Sequence, residues 1–132
     1  MRVIISITVF VILGCSSQKI LSDSKVDNIR FGGGGGFTGH VDSYNLNSKG
    51  QLTKGDSLIL KVKKKDVVSF FNEAEELLNY DYKKYGNLYS FIEITGIDTN
   101  YIVWSFGDLS ISAKAKKFHK KLNTLLKPIK KK

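Results

Sequence analysis

Five consecutive glycines, Gly32 to Gly36, stand between Phe31 and Phe37, with Gly39 three residues further on. No other stretch restricts the fold as much. Glycine has no side chain to bury and loses more backbone freedom on ordering than any other residue. A run of it beside strand-forming residues reads as a flexible loop or as a place where other backbone comes close. Asp27 to Phe31 before it and Phe37 to Leu46 after it both have strand character. The run is therefore expected as a sharp, bulged connection between two strands, or as bare backbone covered by a neighbouring aromatic. Alternatively, its N–H groups form a nest for a carboxylate or phosphate. Gly32, Gly33, Gly34, Gly35, Gly36, Thr38 and Gly39 are the candidate ligand or partner contacts.

Two nucleotide-binding motifs are excluded. Gly34 to Gly39 spells G-x-G-x-x-G, but that motif needs a helix after the glycines to hold pyrophosphate, and here a strand follows. A phosphate loop needs lysine where His40 stands.

The rest of the chain supplies strands, helix, hairpin and helix. Asn47 to Gly50 reads as a turn. Gln51 to Lys65 reads as a long strand, with a break available at Lys54-Gly55-Asp56 and with Leu58, Leu60 and Val62 alternating onto one face. Asp66 is the expected helix cap. Val67, Phe70, Phe71, Ala74, Leu77 and Leu78 then recur at helical spacing, with Glu73, Glu75 and Glu76 on a solvated face and Asn79 closing the helix. Asn87 to Thr95 and Tyr101 to Phe106 form a hairpin across Gly96 to Asn100. Ser110 or Ser112 caps a last helix whose seam is Ile111, Ala115, Phe118, Leu122, Leu125 and Ile129, ending near Pro128. This order predicts an α+β domain: an antiparallel sheet of about five strands with two helices on one face.

Charge is placed unevenly. Residues 15–108 carry eleven basic and twelve acidic side chains, whereas residues 109–132 carry nine lysines and no acid. Lys114, Lys116, Lys117, Lys120 and Lys121 fall on the outer face of the last helix, and Lys127, Lys130, Lys131 and Lys132 form a tail. Lys116, Lys117, Lys120, Lys121, Lys130, Lys131 and Lys132 are candidate contacts with an anionic lipid, a glycan or an acidic protein. His119 lies among them and is expected on the surface, its protonation opposed by like charge. Tyr82 and Tyr85, next to Lys83 and Lys84, are candidate partner contacts or core-closing rings.

Catalytic chemistry finds little support. His40 and Asp42 share a strand face, but a regular strand does not bring them into hydrogen-bond contact, and nothing marks a nucleophile or oxyanion hole. Two histidines without metal-ligand spacing argue against a metal site. No enzyme activity, cofactor or nucleic-acid partner is expected.

The N-terminus gives an address. Met1-Arg2 precedes an uncharged, mainly apolar run from Val3 to Leu13. Eleven residues are too few to span a bilayer as a helix but match the apolar core of a signal peptide. Ile12-Leu13-Gly14-Cys15 resembles the lipobox of bacterial lipoproteins, with Leu13 bulkier than usual at its position. The resemblance implies cleavage after Gly14 and lipid on Cys15. Because Cys15 is the single cysteine, the mature chain would have no thiol chemistry. Ser16, not being aspartate, implies the outer membrane under the usual sorting pattern. Phe31 to Gly39, with Tyr44 and Trp104, also resembles small Gly-rich envelope lipoproteins of no assigned activity. The implied organisation is a signal peptide (1–14), a lipidated cysteine and tether (15–26), one domain (27–127) and a basic tail (128–132). The implied role is that of a lipid-anchored binding or accessory protein of the cell envelope. The alternative is an inhibitor or immunity-type module that caps an envelope hydrolase.

Overall fold

The structure is a computed structural model that describes residues 24–128. Cys15 and its leader, the tether up to residue 23, and Ile129, Lys130, Lys131 and Lys132 lie outside the described residues.

The elements are β1 (Val26–Gly35), β2 (Val41–Asn47), β3 (Gln51–Lys54), β4 (Ser57–Lys61), α1 (Lys64–Glu75), β5 (Leu88–Gly96), β6 (Thr99–Ser105) and α2 (Ala113–Thr124). All six strands pair antiparallel in one sheet of order β4-β3-β2-β1-β5-β6. The domain is α+β, with six strands where about five were expected. The extra strand arises at Gly55, whose φ of +57° turns the chain back and divides the long strand read from Gln51 into β3 and β4. β1 starts at Val26, a buried residue that the sequence reading had assigned to the tether.

Of the glycine run, Gly32 to Gly35 are strand and only Gly36 belongs to the connection. Gly32 pairs with Ser43 and Phe91, Gly33 with Asp42 and Ser90, and Gly34 with Val41 and Tyr89. They lie in β1, flanked by β2 and β5. Residues 36–40 alone make the connection to β2. Close approach of backbone is the physical reason for glycine here. A Cβ on Gly32 would lie 1.9 Å from the Asp42 carbonyl oxygen, and one on Gly35 would lie 2.0 Å from that of Asn87. At Gly34 an aromatic covers the bare backbone: a Cβ there would lie 2.8 Å from the Tyr89 hydroxyl oxygen.

One apolar cluster joins the sheet to both helices. Ile29, Phe31, Leu46, Ile92, Ile94, Ile102 and Trp104 meet Val67, Phe70, Phe71 and Ala74 of α1 and Ala115, Phe118 and Leu122 of α2. Burial of such side chains supplies the main stabilisation, about 1.5–3 kcal/mol for each large one. Both helical stripes follow the sequence spacing, but their ends differ from it. The N-cap of α1 is Lys63, without a side-chain cap, and Asp66 sits in the first turn. The buried Val62, whose N–H bonds the Gly50 carbonyl at 2.7 Å, holds the chain to the sheet until two residues before the helix begins. Asp66 thus complements the helix dipole from inside the helix. The helix ends at Glu75, ahead of Asn79. Ser112 caps α2, accepting from the Ala115 N–H at 3.1 Å. After Thr124 the chain turns, and Leu126 replaces Leu125 as the buried residue.

The glutamates of α1 do more than face water. Glu73 pairs with Lys121, Glu76 with Lys114, and Glu75 accepts from the Ser24 hydroxyl and the Lys25 N–H. They tie α1 to α2 and to the start of β1. Each exposed pair contributes only about 0–1 kcal/mol.

Candidate functional site: a groove at the glycine end of the sheet

The end of β1, the start of β2, the start of β5 and the end of β6 meet at one end of the sheet. A groove of about 330 Å³ opens there, lined by Gly33, Gly34, Gly35, His40, Asp42, Leu88, Tyr89, Ser90 and Phe106. Because the glycines lack side chains, backbone forms its floor. Gly33, Asp42 and Ser90 also line a second recess of about 280 Å³, bounded by Tyr44, His119, Asn123 and Leu126. The two adjoin across these shared residues, the first at the sheet end and the second beside the last turns of α2.

Exposed apolar side chains stand at and beside the groove. Leu88 and Phe106 are exposed on its lining, Phe37 is exposed on the connection between β1 and β2, and Leu109 lies just beyond the turn that ends β6. Phe37 is fully exposed on the connection between β1 and β2. That connection is held by glycine geometry: Gly36 has φ +81° and Gly39 φ +62°, and the Gly39 N–H bonds the Gly36 carbonyl at 3.2 Å. Thr38 Oγ1 accepts from the His40 N–H at 3.4 Å.

His40 and Asp42 do touch, contrary to the expectation from a regular strand. His40 precedes the first residue of β2, so its ring is free to turn and places Nε2 3.2 Å from Asp42 Oδ1. Lys54 Nζ reaches the same oxygen at 3.0 Å. Lys54 first, and His40 second, hold the Asp42 carboxyl below the usual carboxylate range. All three groups are largely exposed, so this is a solvated ion-pair cluster that forms one wall of the groove.

His119 is the residue that sequence reasoning misplaced. Its ring turns inward, edge-on to Trp104 with centroids 5.1 Å apart, and its Nε2 lies 3.0 Å from the Gly32 carbonyl oxygen. Asn123 Nδ2 lies 3.1 Å from His119 Nδ1 and 3.0 Å from the His119 carbonyl. A carbonyl only accepts and an amide nitrogen only donates, so the ring is neutral with its proton on Nε2. Burial lowers its pKa, partly opposed by the Gly32 bond. Desolvation is thus the cause, where neighbouring lysines were expected.

The two candidate tyrosines separate. Tyr82 runs along the outer edge of β6: its carbonyl accepts from the Val103 N–H at 3.0 Å, and its hydroxyl donates to Asp108 at 2.5 Å. That bond raises the Tyr82 pKa and lowers that of Asp108. Tyr85 instead joins Tyr89 and Tyr101, at centroid distances of 5.4 and 6.4 Å. Beside them Arg30 makes a two-pronged pair with Glu93, both contacts at 3.1 Å, and stands 4.9 Å above the Phe91 ring. Burial, then the hydrogen bond with Tyr85, pushes the Tyr101 hydroxyl well up. The signal for this second cluster was the out-of-phase alternation of Tyr89, Phe91 and Glu93 along β5.

Lys116, Lys117 and Lys120 are exposed on α2. Lys121 is not on their face: its Nζ meets Glu73 at 2.5 Å and Ser69 at 3.1 Å, over the Phe70 ring. Among the described residues, no three His, Cys, Asp or Glu side chains converge to hold a metal, and no helix is long and apolar enough to cross a membrane.

The site so defined is a backbone-floored groove with exposed apolar side chains beside it. The chain matches no family model, no curated protein and no solved structure.

Proposed function

We propose that this chain is a non-enzymatic binding lipoprotein of the cell envelope, anchored through Cys15 to the outer membrane, and that the glycine end of its sheet is the partner-binding surface. The observation that carries this reading is that Leu88 and Phe106 are exposed on the lining of one groove, next to the connection that carries the exposed Phe37. Clustered exposed apolar side chains mark interaction sites, whereas scattered ones do not. Both helices cover one face of the sheet in this reading, supported by the single apolar cluster that joins them to it.

Geometry relates the surface to the anchor. β1 starts at Val26 on the tether side and ends in the groove at Gly35, nine residues later, about 30 Å away at strand rise. In this reading the chain enters from its anchor at the end of β1 opposite the groove, and the groove faces a partner. The basic groups of α2 need not supply attachment and orient the domain over anionic headgroups.

The alternative, a module that caps an envelope hydrolase, is favoured by Phe37 alone. It stands fully exposed on a short, glycine-hinged connection, a shape suited to entering a cleft.

The test pairs two variants. Cys15→Ser should move the protein from the membrane to the soluble fraction and abolish lipid labelling. Phe37→Ser with Phe106→Ser should leave the fold and membrane attachment intact and remove the proteins that co-purify from solubilised envelope. Partner recovery unchanged by the double variant refutes the binding surface. A hydrolase in stoichiometric amount, inhibited by the wild-type chain and released from inhibition by Phe37→Ser, selects the alternative.

A further inference from the structure

The near balance of charge before residue 109 conceals a local excess. Lys49 stands in the turn between β2 and β3, Lys61 ends β4, and Lys63, Lys64 and Lys65 open α1 from its N-cap. All of them are exposed. Tertiary contacts gather them at one corner. The Val62 N–H bonds the Gly50 carbonyl at 2.7 Å, and a Cβ on Gly50 would lie 3.1 Å from Val67 Cγ2. The turn that carries Lys49 is thus clamped against the junction that carries the others. Asp66, Ser69 and Phe70 share a recess with Lys121, Thr124 and Leu125. The end of α2 therefore arrives at the same corner and brings the exposed Lys127 with it.

Among the described residues, nothing answers these charges. Lys54, Lys83, Lys114 and Lys121 each have a carboxylate partner. The ammonium groups of Lys49, Lys61, Lys63, Lys64 and Lys65 have neither an ion pair nor a hydrogen bond there. The adjacent Asp66 lines the recess shared with Lys121. Asp27 and Asp98 belong to β1 and to the β5–β6 turn, with β2 and β3 between them and β4. Lys63, Lys64 and Lys65 also stand at the end of α1 where the helix dipole disfavours positive charge. Crowded like charges at that place cost stability until an outside anion offsets them.

The corner lies at the end of the sheet where the chain enters. Asn28 of β1 pairs with Asn47 of β2, the Asn47 amide bonds the Gln51 side chain of β3 at 2.9 Å, and Gln51 pairs with Lys61 of β4. Val26 and Lys61 are therefore at the same end, about 15 Å apart at the usual strand spacing. The chain from Cys15 to Ser24 extends at most about 30 Å.

We propose that this basic corner docks on the anionic phospholipid headgroups of the membrane that holds the anchor, laying the β4 side of the domain against the bilayer. The proposal takes the nearness of a membrane from the lipoprotein reading; the headgroup contact itself comes from the lysines. It adds a second basic surface to that of α2, on the side where the chain enters. Headgroup phosphates supply the negative charge that the fold lacks at this corner, and salt screens the contact.

The experiment adds the full chain to vesicles of phosphatidylcholine alone and to vesicles of phosphatidylcholine with phosphatidylglycerol. Flotation reads attachment. Acylation of lysines by a membrane-impermeant reagent, followed by mass spectrometry, reads contact. On neutral vesicles the chain should float with its corner lysines freely reactive. On anionic vesicles at low salt, acylation of Lys49, Lys61, Lys63, Lys64 and Lys65 should slow about fivefold, while Lys54 at the glycine end keeps its rate. Salt at about 1 M should abolish the difference. Lys61→Glu with Lys64→Glu should abolish it at low salt, with flotation retained. Equal rates on the two kinds of vesicle at low salt overturn the proposal, and that result needs no variant to fold. So does slowing confined to Lys116, Lys117 and Lys120, or slowing that survives high salt or charge reversal. A chain that does not float on neutral vesicles refutes the lipid anchor instead. The corner is then read from flotation on anionic vesicles, which should be salt-sensitive and lost in the charge-reversed variant; no flotation there overturns the corner too.

Discussion

The two halves of β1 are held in the same sheet by opposite means. From Val26 to Phe31 the strand is fixed by side chains: Val26, Ile29 and Phe31 are buried in the apolar cluster, and Arg30 engages Glu93 on its other flank. From Gly32 to Gly35 there are no side chains, and the strand is fixed by backbone packed against backbone. Both halves have β2 and β5 as partners, in unbroken register from Asn28 to Gly34, with an irregularity on the β5 side between Val26 and Asn28. The first half belongs to the core. The second forms the floor of a groove, and its Gly32 carbonyl takes a hydrogen bond from His119 of α2. One strand therefore supplies both stability and a surface from which side chains have been removed.

This contrast can be broken from either side. Phe31→Ala empties the filled half and should cost about 3–5 kcal/mol, read as a lower urea midpoint with the slope retained. Gly32→Ala fills the empty half. Its Cβ would press on the Asp42 carbonyl at 1.9 Å, so it should cost about 2–3 kcal/mol and loosen the β1–β2 ladder around Asp42 and Ser43 in hydrogen exchange. A Gly32→Ala protein as stable as wild type would mean that the glycine half is kept for binding and not for packing. The smallest effect is expected at Gly39, where φ is +62° and nothing lies within 4 Å of a Cβ. Gly39→Ala should cost about 1 kcal/mol, from the left-handed backbone alone. If it proves as damaging as Gly32→Ala, backbone conformation rather than close approach explains the whole run.

Much of the scaffold was legible. The β5–β6 hairpin, the apolar stripes of both helices and the Ser112 cap each follow from residues a few positions apart. So does the break at Gly55, which was noted, although the count of five strands did not include it. The ends of α1 were not legible, because Val62 is pinned by a backbone bond from Gly50 and not by any residue near it in the chain. Nor was the contact between His40 and Asp42, which needs His40 to lie outside the strand. For the candidate site, Gly32 to Gly39 were read as one stretch, either a flexible loop or a close approach of backbone, and the structure places Gly32 to Gly35 in a strand where backbone comes close. Leu88, Ser90, Phe106, His119 and Asn123, which complete the groove, come from distant segments and carried no local mark. Tyr82, by contrast, was grouped with Tyr85 on proximity alone, and the chain's course along the β6 edge separates them.

The sequence by itself determined the α+β composition, the positions of the apolar stripes and the lipobox-like start, since each is written in the spacing of side chains along a short segment. Only the tertiary structure decided that five glycines lie in and beside an interior strand, that His119 faces inward, and that Glu73 and Glu76 clasp the second helix. The reason is physical. A glycine has no side chain with which to announce its surroundings, and a polar side chain on a helix faces water or a partner according to what the rest of the chain brings alongside.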